Sequence, residues 1–382
     1  DVLGCRLAAG NVEILPARRC LLVCSSKNRF MRSCFFLFLC LPLLASAQIG
    51  GNYTYQFLQL SPSARVTALG GNLITQRDKD VSLFYANPAL LSPAMHGQMA
   101  FSQDIHPAGI GFGNLSYAHS AFGATFGGSV QYISYGKMRQ TNEEGDQIGE
   151  FRANEYAITL GAGKQVSEQL SIGANLKTVF SYLAPGYNST GLALDLGANY
   201  LDTAKNVSVS LVFRNIGTQL TTYSRERLHE PLPFDIQLGF SHRLKYLPLR
   251  FGIIAHQLQR WNLRYDDPAL RDAQSLFADP NAQQTESSFA NGVDNFFRHF
   301  IFNIELLLGK SELIRLRLGY NHLRGSELRV QNLRSLAGFT GGVGLNLRKF
   351  SLDYGFGSYH FAGTAHHFTF SVNLMQLIQG GK

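Results

Sequence analysis

A two-residue alternation of apolar and polar side chains, repeated over most of the chain, is the feature that most limits its possible folds. The clearest stretch is 170–182, where Leu170, Ile172, Ala174, Leu176, Phe180 and Tyr182 alternate with Ser171, Gly173, Asn175, Lys177 and Ser181. Successive side chains of a β-strand point to opposite faces, so this pattern predicts strands with one apolar face. No apolar run reaches the 18 or so residues of a transmembrane helix, and only helices and closed barrels satisfy the backbone in lipid.

The alternation recurs in fourteen stretches separated by turn residues. An even number of segments of about ten residues is typical of an outer-membrane β-barrel. The stretches are 97–104, 110–119, 122–135, 155–164, 170–182, 192–200, 206–214, 234–243, 248–258, 298–308, 312–322, 334–347, 350–356 and 367–374. The expected fold is therefore all-β, a transmembrane barrel of about 14 antiparallel strands.

A soluble β-sandwich is the alternative, since its strands also alternate and bury the apolar face. The polar face here mixes many glycines with charges, namely Lys177, Asp195, Arg243, Arg315, Arg317 and Asp353. An Arg on the lipid face would cost about 2–4 kcal/mol at the bilayer midplane. We therefore expect the charges to face a wet or filled lumen. Tyrosines near strand ends fit interfacial girdles: Tyr117, Tyr132, Tyr135, Tyr182, Tyr200 and Tyr320.

Residues 31–47 have the layout of a cleaved secretory signal. Arg32 supplies the positive charge, an apolar run follows from Cys34 to Leu44, and the small-residue site is Ala45-Ser46-Ala47. We expect the mature chain to begin at Gln48, and we interpret residues 1–30 as upstream sequence in front of a mis-called start. All five cysteines precede residue 41, so the mature chain offers no disulfide, thiolate metal site or cysteine nucleophile.

The charge of the chain does not indicate a nucleic-acid partner. The first 47 residues hold six Lys/Arg and two Asp/Glu, so the net charge of +8 falls to +4 for the mature chain. That chain contains no basic run of five or more residues, which excludes the usual electrostatic footprint of a nucleic-acid binder.

Two stretches break the alternation. Residues 48–96 precede the first strand and predict a short amphipathic segment and a turn, which in a barrel would line or plug the lumen in front of strands in 97–382. The polar stretch 259–295 predicts a long loop, and long loops of such barrels lie outside the cell.

The order and spacing of several short motifs resemble the PorV/PorQ group of outer-membrane proteins, which is distantly similar to the FadL fatty-acid transporters. The motifs are ARVTALGG (64–71), YANPALL (85–91), GLALDLGANY (191–200), SVSLVFRNIG (208–217), PFDIQLGFSHRL (233–244) and HQLQRWNLRYDDP (256–268). The group belongs to the type IX secretion system of the Bacteroidetes. The resemblance extends over essentially the whole mature chain, and residues 1–30 depart from it.

The resemblance implies a 14-stranded barrel and a non-enzymatic role in a cell-surface attachment complex. In that complex a sortase-like protease removes the C-terminal signal of secreted cargo and joins the cargo to lipopolysaccharide. Some members are thought to anchor the surface protein PorZ beside the PorU–PorV pair. The expected partners are thus outer-membrane lipid and a PorZ-like protein. The alternative is a FadL-like channel for hydrophobic molecules, and a third interpretation is a membrane hydrolase.

Two sets of residues are candidate functional positions. Arg260, Trp261, Arg264 and Tyr265 lie within the long loop, and buried Trp, Tyr and Arg dominate interface energetics, so they are candidate partner contacts. An aromatic side chain at the membrane interface is the equal alternative for Trp261. The Asn87-Pro88-Ala89 motif predicts a turn that places the N-terminal segment against the wall, although FadL-like relatives use this region to gate a hydrophobic path.

No catalytic, metal or cofactor site is predicted. His366 and His367 are adjacent in a strand and point to opposite faces, so they cannot chelate one metal together. Asp266 and Asp267 follow no calcium-loop spacing. The serines lack a Gly-x-Ser-x-Gly elbow, and no His or Asp partner can be placed for any of them from the sequence, so the hydrolase interpretation has little support.

Overall fold

A computed structural model describes residues 53–106, 109–223, 229–264, 288–309, 312–328, 336–347, 349–360 and 363–379. Fourteen antiparallel strands form a closed barrel in which each strand pairs with its sequence neighbours and β1 pairs with β14. The strands are β1 Gln98–Ile105, β2 Gly111–Ala121, β3 Ala124–Thr141, β4 Gln147–Gln165, β5 Leu170–Ala184, β6 Tyr187–Asp202, β7 Val207–Thr221, β8 Asp235–Arg243, β9 Leu249–Ala255, β10 Phe300–Leu308, β11 Ile314–Asn321, β12 Phe339–Asn346, β13 Phe350–His360 and β14 Gly363–Asn373.

The helices of the described residues are short. They are α1 Ala64–Ala68, α2 Ser288–Phe297, α3 His322–Glu327 and α4 Leu374–Gln379, with short 3-10 helices at Gln56–Gln59, Val81–Tyr85, Pro88–Leu90 and Pro93–Met95. Across the described residues, none of the helices has the length and apolarity that a membrane-spanning helix requires.

The two faces of the wall are inverted relative to a soluble protein. In β5, Leu176 is 46% exposed on the outside, whereas Lys177 is fully buried inside. The same holds across β11, where Leu318 is 65% exposed and Arg317 only 2%. A sandwich would bury the apolar face, and this chain buries the polar one. The inversion decides between the two architectures and confirms an outer-membrane β-barrel with its charges in the lumen.

The two ends of the barrel differ in the length of their connections. At one end, called the turn end, the strands are joined by two to five residues, and β1 begins and β14 ends there. At the other, called the loop end, the connections include 222–234, 256–299 and 322–338. Short turns of bacterial barrels lie on the periplasmic side, so the loop end is the side expected outside the cell.

The predicted strands are confirmed, with differences at the loop end. β3 and β4 extend to Thr141 and back to Gln147, well beyond the predicted 135 and 155. The stretch 259–295 is not wholly loop, because α2 begins at Ser288; the positions 265–287 lie outside the described residues. The interfacial placement of Tyr135 is wrong. Its hydroxyl donates a 2.6 Å hydrogen bond to buried Glu155, so the side chain lies in the lumen. Tyr132 and Tyr135 are an odd number of positions apart on the same strand, so they face opposite ways and cannot both belong to the outer girdle.

Candidate functional site

The described part of the N-terminal segment, residues 53–96, lies inside the barrel and fills much of it. Val66, Leu69, Leu83, Phe84 and Leu90 are buried together in one apolar cluster with wall residues. The segment meets the wall at two places. The helix seat is Gly319, Gly342 and Gly355 of β11–β13, which face residues 64–70, namely α1 and the two residues after it. The turn seat is Gly163, Gly173 and Gly197 of β4–β6, which face residues 87–91.

At the helix seat the wall supplies the caps of α1. The helix has only five residues and no side-chain cap of its own at its N-terminus. Thr369 accepts a 2.8 Å hydrogen bond from the Ala64 amide, and Thr340 donates 3.0 Å to the Ala68 carbonyl and accepts 3.0 Å from the Gly70 amide. A helix this short is unstable alone, so wall threonines satisfy the backbone groups that it leaves unpaired.

At the turn seat the segment contacts the wall through its backbone. Asn87 accepts from the Ala89 amide at 3.0 Å and donates to the Ile74 carbonyl at 2.7 Å. A Cβ atom added at Gly173 would lie 2.4 Å from the carbonyl carbon of Pro88. The glycines of this seat pair directly across three strands. Their missing side chains are therefore the space that the Asn87-Pro88-Ala89 turn occupies.

A cluster of buried and partly buried charges lies near the helix seat. This ion cluster consists of Arg65, Asp78 and Asp80 from the segment and Arg250, Glu305, Arg317 and Asp353 from the wall. Arg65 lies 2.8 Å from Asp78, 3.3 Å from Asp80 and 3.5 Å from Glu305. Burial by itself would raise the pKa of Asp78, but Arg65 and two further arginines outweigh it and hold that pKa below its ordinary value.

Near the turn seat the charges form a single pair. Lys177 and Asp195 are both fully buried, with Nζ 2.7 Å from the carboxylate. Lys177 also donates to Asn215 at 3.0 Å and lies 4.4 Å from the centre of the Tyr85 ring. Asp195 accepts a 2.8 Å hydrogen bond from the Asn215 amide, where β7 bulges. The pair therefore fixes both the wall and the Tyr85 side chain.

Two cavities flank the segment between residues 71 and 77. The cavity at the loop end has a volume of about 380 Å³, and its lining includes Asn72, Arg214, Gln237, His256 and Arg260. The cavity at the turn end has a volume of about 150 Å³ and is lined in part by residues 75–78. The fully buried residues 73 and 74 connect the two linings. Both linings are rich in charged and amide side chains, which suits water and polar solutes.

His256 is buried in the wall of the loop-end cavity. Burial lowers its pKa from 6.5 to about 4, opposed by Asp235 and assisted by His299 and Arg324. The imidazole is therefore neutral at neutral pH, and its Nε2 makes no hydrogen bond to any of the described residues.

The predicted partner contacts lie together at the loop end. Trp261 is 74% exposed, and its ring stacks on His299 with centroids 6.0 Å apart. The Arg260 guanidinium lies 4.8 Å from the centre of the Tyr53 ring. The Arg264 amide donates to the Asn262 side chain at 3.1 Å. Tyr265 lies outside the described residues. Arg260 thus contacts the N-terminal segment, and Trp261 offers its ring to the exterior.

Residues of the metal-ligand types do not cluster within the described ranges. These ranges contain no group of three or more His, Cys, Asp or Glu placed to hold a metal ion. His367 contacts Thr67 in the lumen at 2.8 Å, while His366 contacts the outward-facing Tyr354 at 2.8 Å. Asp266 and Asp267 fall outside the described residues.

Sequence reasoning missed the ion cluster and the two glycine seats. Arg65 lies in the ARVTALGG motif, but nothing in the alternation indicates that its side chain joins Glu305 of β10. The sequence contains one feature that could have indicated the turn seat. Glycine is depleted in strands, so glycines on the inward face of β4–β6 indicate close approach by another backbone.

Comparisons with known proteins return similar structures but no family. No family model and no curated protein matches the chain. Among solved structures, it is similar to the toluene transporter TodX of Pseudomonas putida, with 12% identity, 83% of this chain and 99% of that chain covered, and a TM-score of 0.49. It is also similar to the CymD monoaromatic hydrocarbon channel, with 15% identity, 82% of this chain and 97% of that chain covered, and a TM-score of 0.46. A FadL homologue of Pseudomonas aeruginosa has 10% identity, 82% of this chain and 98% of that chain covered, and a TM-score of 0.42. Such values carry no argument about function.

Proposed function

We propose that this chain is a non-enzymatic outer-membrane anchor for a cell-surface protein complex, corresponding to the PorQ component of a type IX secretion system. It is exported by a cleaved signal and is mature from Gln48. It holds a PorZ-like protein at the surface, beside PorU–PorV. The assignment to type IX secretion and to the Bacteroidetes depends on the sequence motifs alone.

The observation that carries the anchoring role is the filled lumen. Residues 53–96 occupy the interior, and their contacts with the wall include buried ion pairs and backbone-to-glycine packing. A barrel filled in this way offers its loop-end surface as the site of action. Trp261, the single tryptophan of the chain, is exposed on that surface. Aromatic side chains of this kind are preferred anchors of protein interfaces.

Deletion of the gene tests the anchoring role. We expect the partner to appear in the medium and the secreted cargo to remain unprocessed, and wild-type protein supplied from a plasmid should restore both. A deletion strain that keeps the partner on its surface and matures cargo normally would exclude this function. Cross-linking on whole cells, followed by identification of what is joined to the loop end, names the partner.

A substitution at Trp261 localises the contact. Truncation of an interface hot spot costs about 2 kcal/mol or more, so Trp261→Ala should release much of the partner. Tyr246→Ala is the matched control, because Tyr246 is an aromatic residue that is 89% exposed at the opposite, turn end. Both variants should show the heat-modifiable gel migration of a folded barrel. Equal partner retention in the two would remove Trp261 from the interface.

A channel for hydrophobic molecules is the second candidate. The two cavities favour it, because they lie on either side of residues 73 and 74 and could become one path if the segment moved. The solved structures above include hydrocarbon channels. The polar lining opposes it, since pockets for hydrophobic ligands are mostly apolar. A deletion strain that takes up toluene and fatty acids at the wild-type rate would exclude the channel.

A further inference from the structure

Helix α2 exposes its apolar side chains and turns its polar ones toward the protein. The exposed fractions are 80% for Phe289, 39% for Val293, 48% for Phe296 and 42% for Phe297. A surface helix of a soluble protein shows the opposite arrangement, with polar residues facing solvent. The exposure of α2 is therefore that of a helix with apolar surroundings on its outer side.

The polar side of α2 is held by neighbouring loops. Asp294 accepts a 2.7 Å bond from Arg298 and lies 3.1 Å from the ring of His322. Asn295 accepts from the Leu263 amide at 2.8 Å and donates to the Trp261 carbonyl at 2.7 Å. These bonds fix the rotation of the helix about its axis, so the apolar side faces away from the loops.

The apolar side of α2 continues the lipid-facing surface of the barrel. The Phe296 ring lies 4.9 Å from Phe300, at the start of β10, and Phe300 lies 6.2 Å from Phe302. Phe302 pairs across the strands with Tyr320, which in turn pairs with Phe339. These side chains form an outward aromatic row at the loop end, where the interfacial girdle of such barrels lies.

The wall is short beneath α2. Strands β8–β12 have only seven to nine residues, whereas β3–β6 have 15–19. Eight residues at about 3.3 Å each, tilted by about 40°, span roughly 20 Å, less than the apolar band of about 25 Å in these barrels. The short strands alone therefore leave the upper part of the hydrocarbon layer without apolar protein surface on this side.

We propose that the apolar face of α2 is covered by lipid acyl chains of the outer leaflet, so that the helix supplies the missing height of the wall. Interfacial amphipathic helices bury their apolar face about 5–10 Å into the boundary between headgroups and acyl chains. Lipid is the occupant rather than a protein partner, because the face continues the aromatic row and lies above the shortest strands. The loop end therefore combines a lipid-contacting side at α2 with an exposed Trp261.

The single tryptophan makes this arrangement measurable. In a Trp261→Phe background, Phe289→Trp and Val293→Trp each place one fluorophore on the apolar face, and Asn291→Trp places one on the opposite side of the same helix. Phe302→Trp is the reference for lipid contact. Glu144→Trp, in the exposed β3–β4 hairpin, is the reference for water. Each full-length mature variant is folded into phosphatidylcholine vesicles with brominated acyl chains and must show heat-modifiable migration.

We expect Phe289→Trp and Val293→Trp to have blue-shifted emission, strong quenching by the brominated chains and weak quenching by iodide, as in Phe302→Trp. Asn291→Trp should be quenched less by bromine than either. The proposal is overturned if both apolar-face variants emit and quench as Glu144→Trp does, since the face would then be free in water and available to a protein. Two positions are used so that the failure of one to fold leaves the other informative.

Discussion

The helix seat and the turn seat both pack the segment's backbone against wall glycines, but they differ in the ion pairs that lie beside them. At both, inward-facing glycines let the segment's backbone lie against the wall: an added Cβ would be 2.2 Å from the Ala64 carbonyl oxygen at Gly355, and 2.4 Å from Pro88 at Gly173. The helix seat is accompanied by the ion cluster, in which Arg65 joins carboxylates of segment and wall. Near the turn seat the ion pair, Lys177–Asp195, belongs entirely to the wall.

The difference separates two ways of holding a segment inside a barrel. At the turn seat, removal of charge takes away the contact of Lys177 with the Tyr85 ring but leaves the contacts of residues 87–91 intact, because Asn87 and the glycines make them. At the helix seat, removal of Arg65 breaks bonds that run directly from segment to wall. Charge changes should therefore affect the two seats unequally, while filling a glycine should affect them alike.

The largest expected effect is that of Arg65→Met. It leaves the buried Glu305 and the partly buried Asp78 and Asp80 with fewer partners, and breaking a buried ion pair costs about 3–5 kcal/mol. Thermal unfolding in detergent, followed by heat-modifiable migration, measures the loss, and protease cleavage within residues 53–96 reports release of the segment. Arg139→Met is the control, because Arg139 is exposed on β3. Equal unfolding temperatures for the two variants would show that the ion cluster does not hold the segment.

Filling a glycine should have the next largest effect, and a similar one at both seats. Gly173→Ala and Gly355→Ala each place a methyl group against segment backbone, and overpacking costs about 1–3 kcal/mol. Gly128→Ala is the matched control, since an added Cβ there has no atom within 4 Å. Protease sensitivity of residues 53–96 should rise in the first two variants only. A neutral Gly173→Ala would mean that the turn does not lie against β5.

Lys177→Met should cost less than Arg65→Met. Asp195 keeps its hydrogen bonds from the Asn215 backbone amide at 2.8 Å and from the Asn175 side chain at 3.3 Å, so the expected loss is smaller than the loss of about 3–5 kcal/mol for a buried charge left without partners. The double variant Lys177→Met/Asp195→Asn should recover part of it, because no unpaired charge then stays buried. A double-mutant cycle of unfolding temperatures measures the coupling. The segment should keep its protease resistance throughout; its loss would mean that charge also holds the turn seat.

The smallest expected effect concerns His256, which lines the loop-end cavity. Its pKa of about 4 in the folded protein lies below the ordinary 6.5. Between these values the unfolded chain binds a proton that the folded chain does not, so stability is full above pH 6.5 and falls as the pH drops toward 4. His256→Gln should reduce the loss of unfolding temperature between about pH 7 and about pH 5. An unchanged loss in the variant would assign the acid sensitivity to other groups.

The sequence predicts the wall because lipid imposes a rule on every strand. Outward residues of a spanning strand must be apolar, so alternation marks all fourteen strands and places Lys177 and Arg317 in the lumen. This rule does not apply to the parts of strands that extend beyond the lipid bilayer. The upper parts of β3 and β4, with Lys137 and Glu150 exposed on both sides of the hairpin, carry no such constraint, and the predicted ends fall short there.

The interior could be predicted only in outline. Residues 48–96 fit a lumen segment because they lack strand alternation and precede the first strand. Which wall positions they contact depends on the registers of strands far away in the chain. Arg65 and Glu305 are 240 positions apart, and their contact needs both the fold of the segment and the closure of the barrel. Local sequence patterns predict neither the fold of the segment nor the register in which the barrel closes.

The capping of α1 by the wall also constrains the order in which the molecule can be assembled. Ala64 is exported early, whereas its cap, Thr369, is 305 positions later and belongs to the last strand. Contacts of such high sequence separation form slowly. The N-terminal cap of α1 therefore cannot form until β14, the last strand, is in place. Because β1 and β14 close the wall around the segment, we expect it to be enclosed during insertion rather than threaded in afterwards.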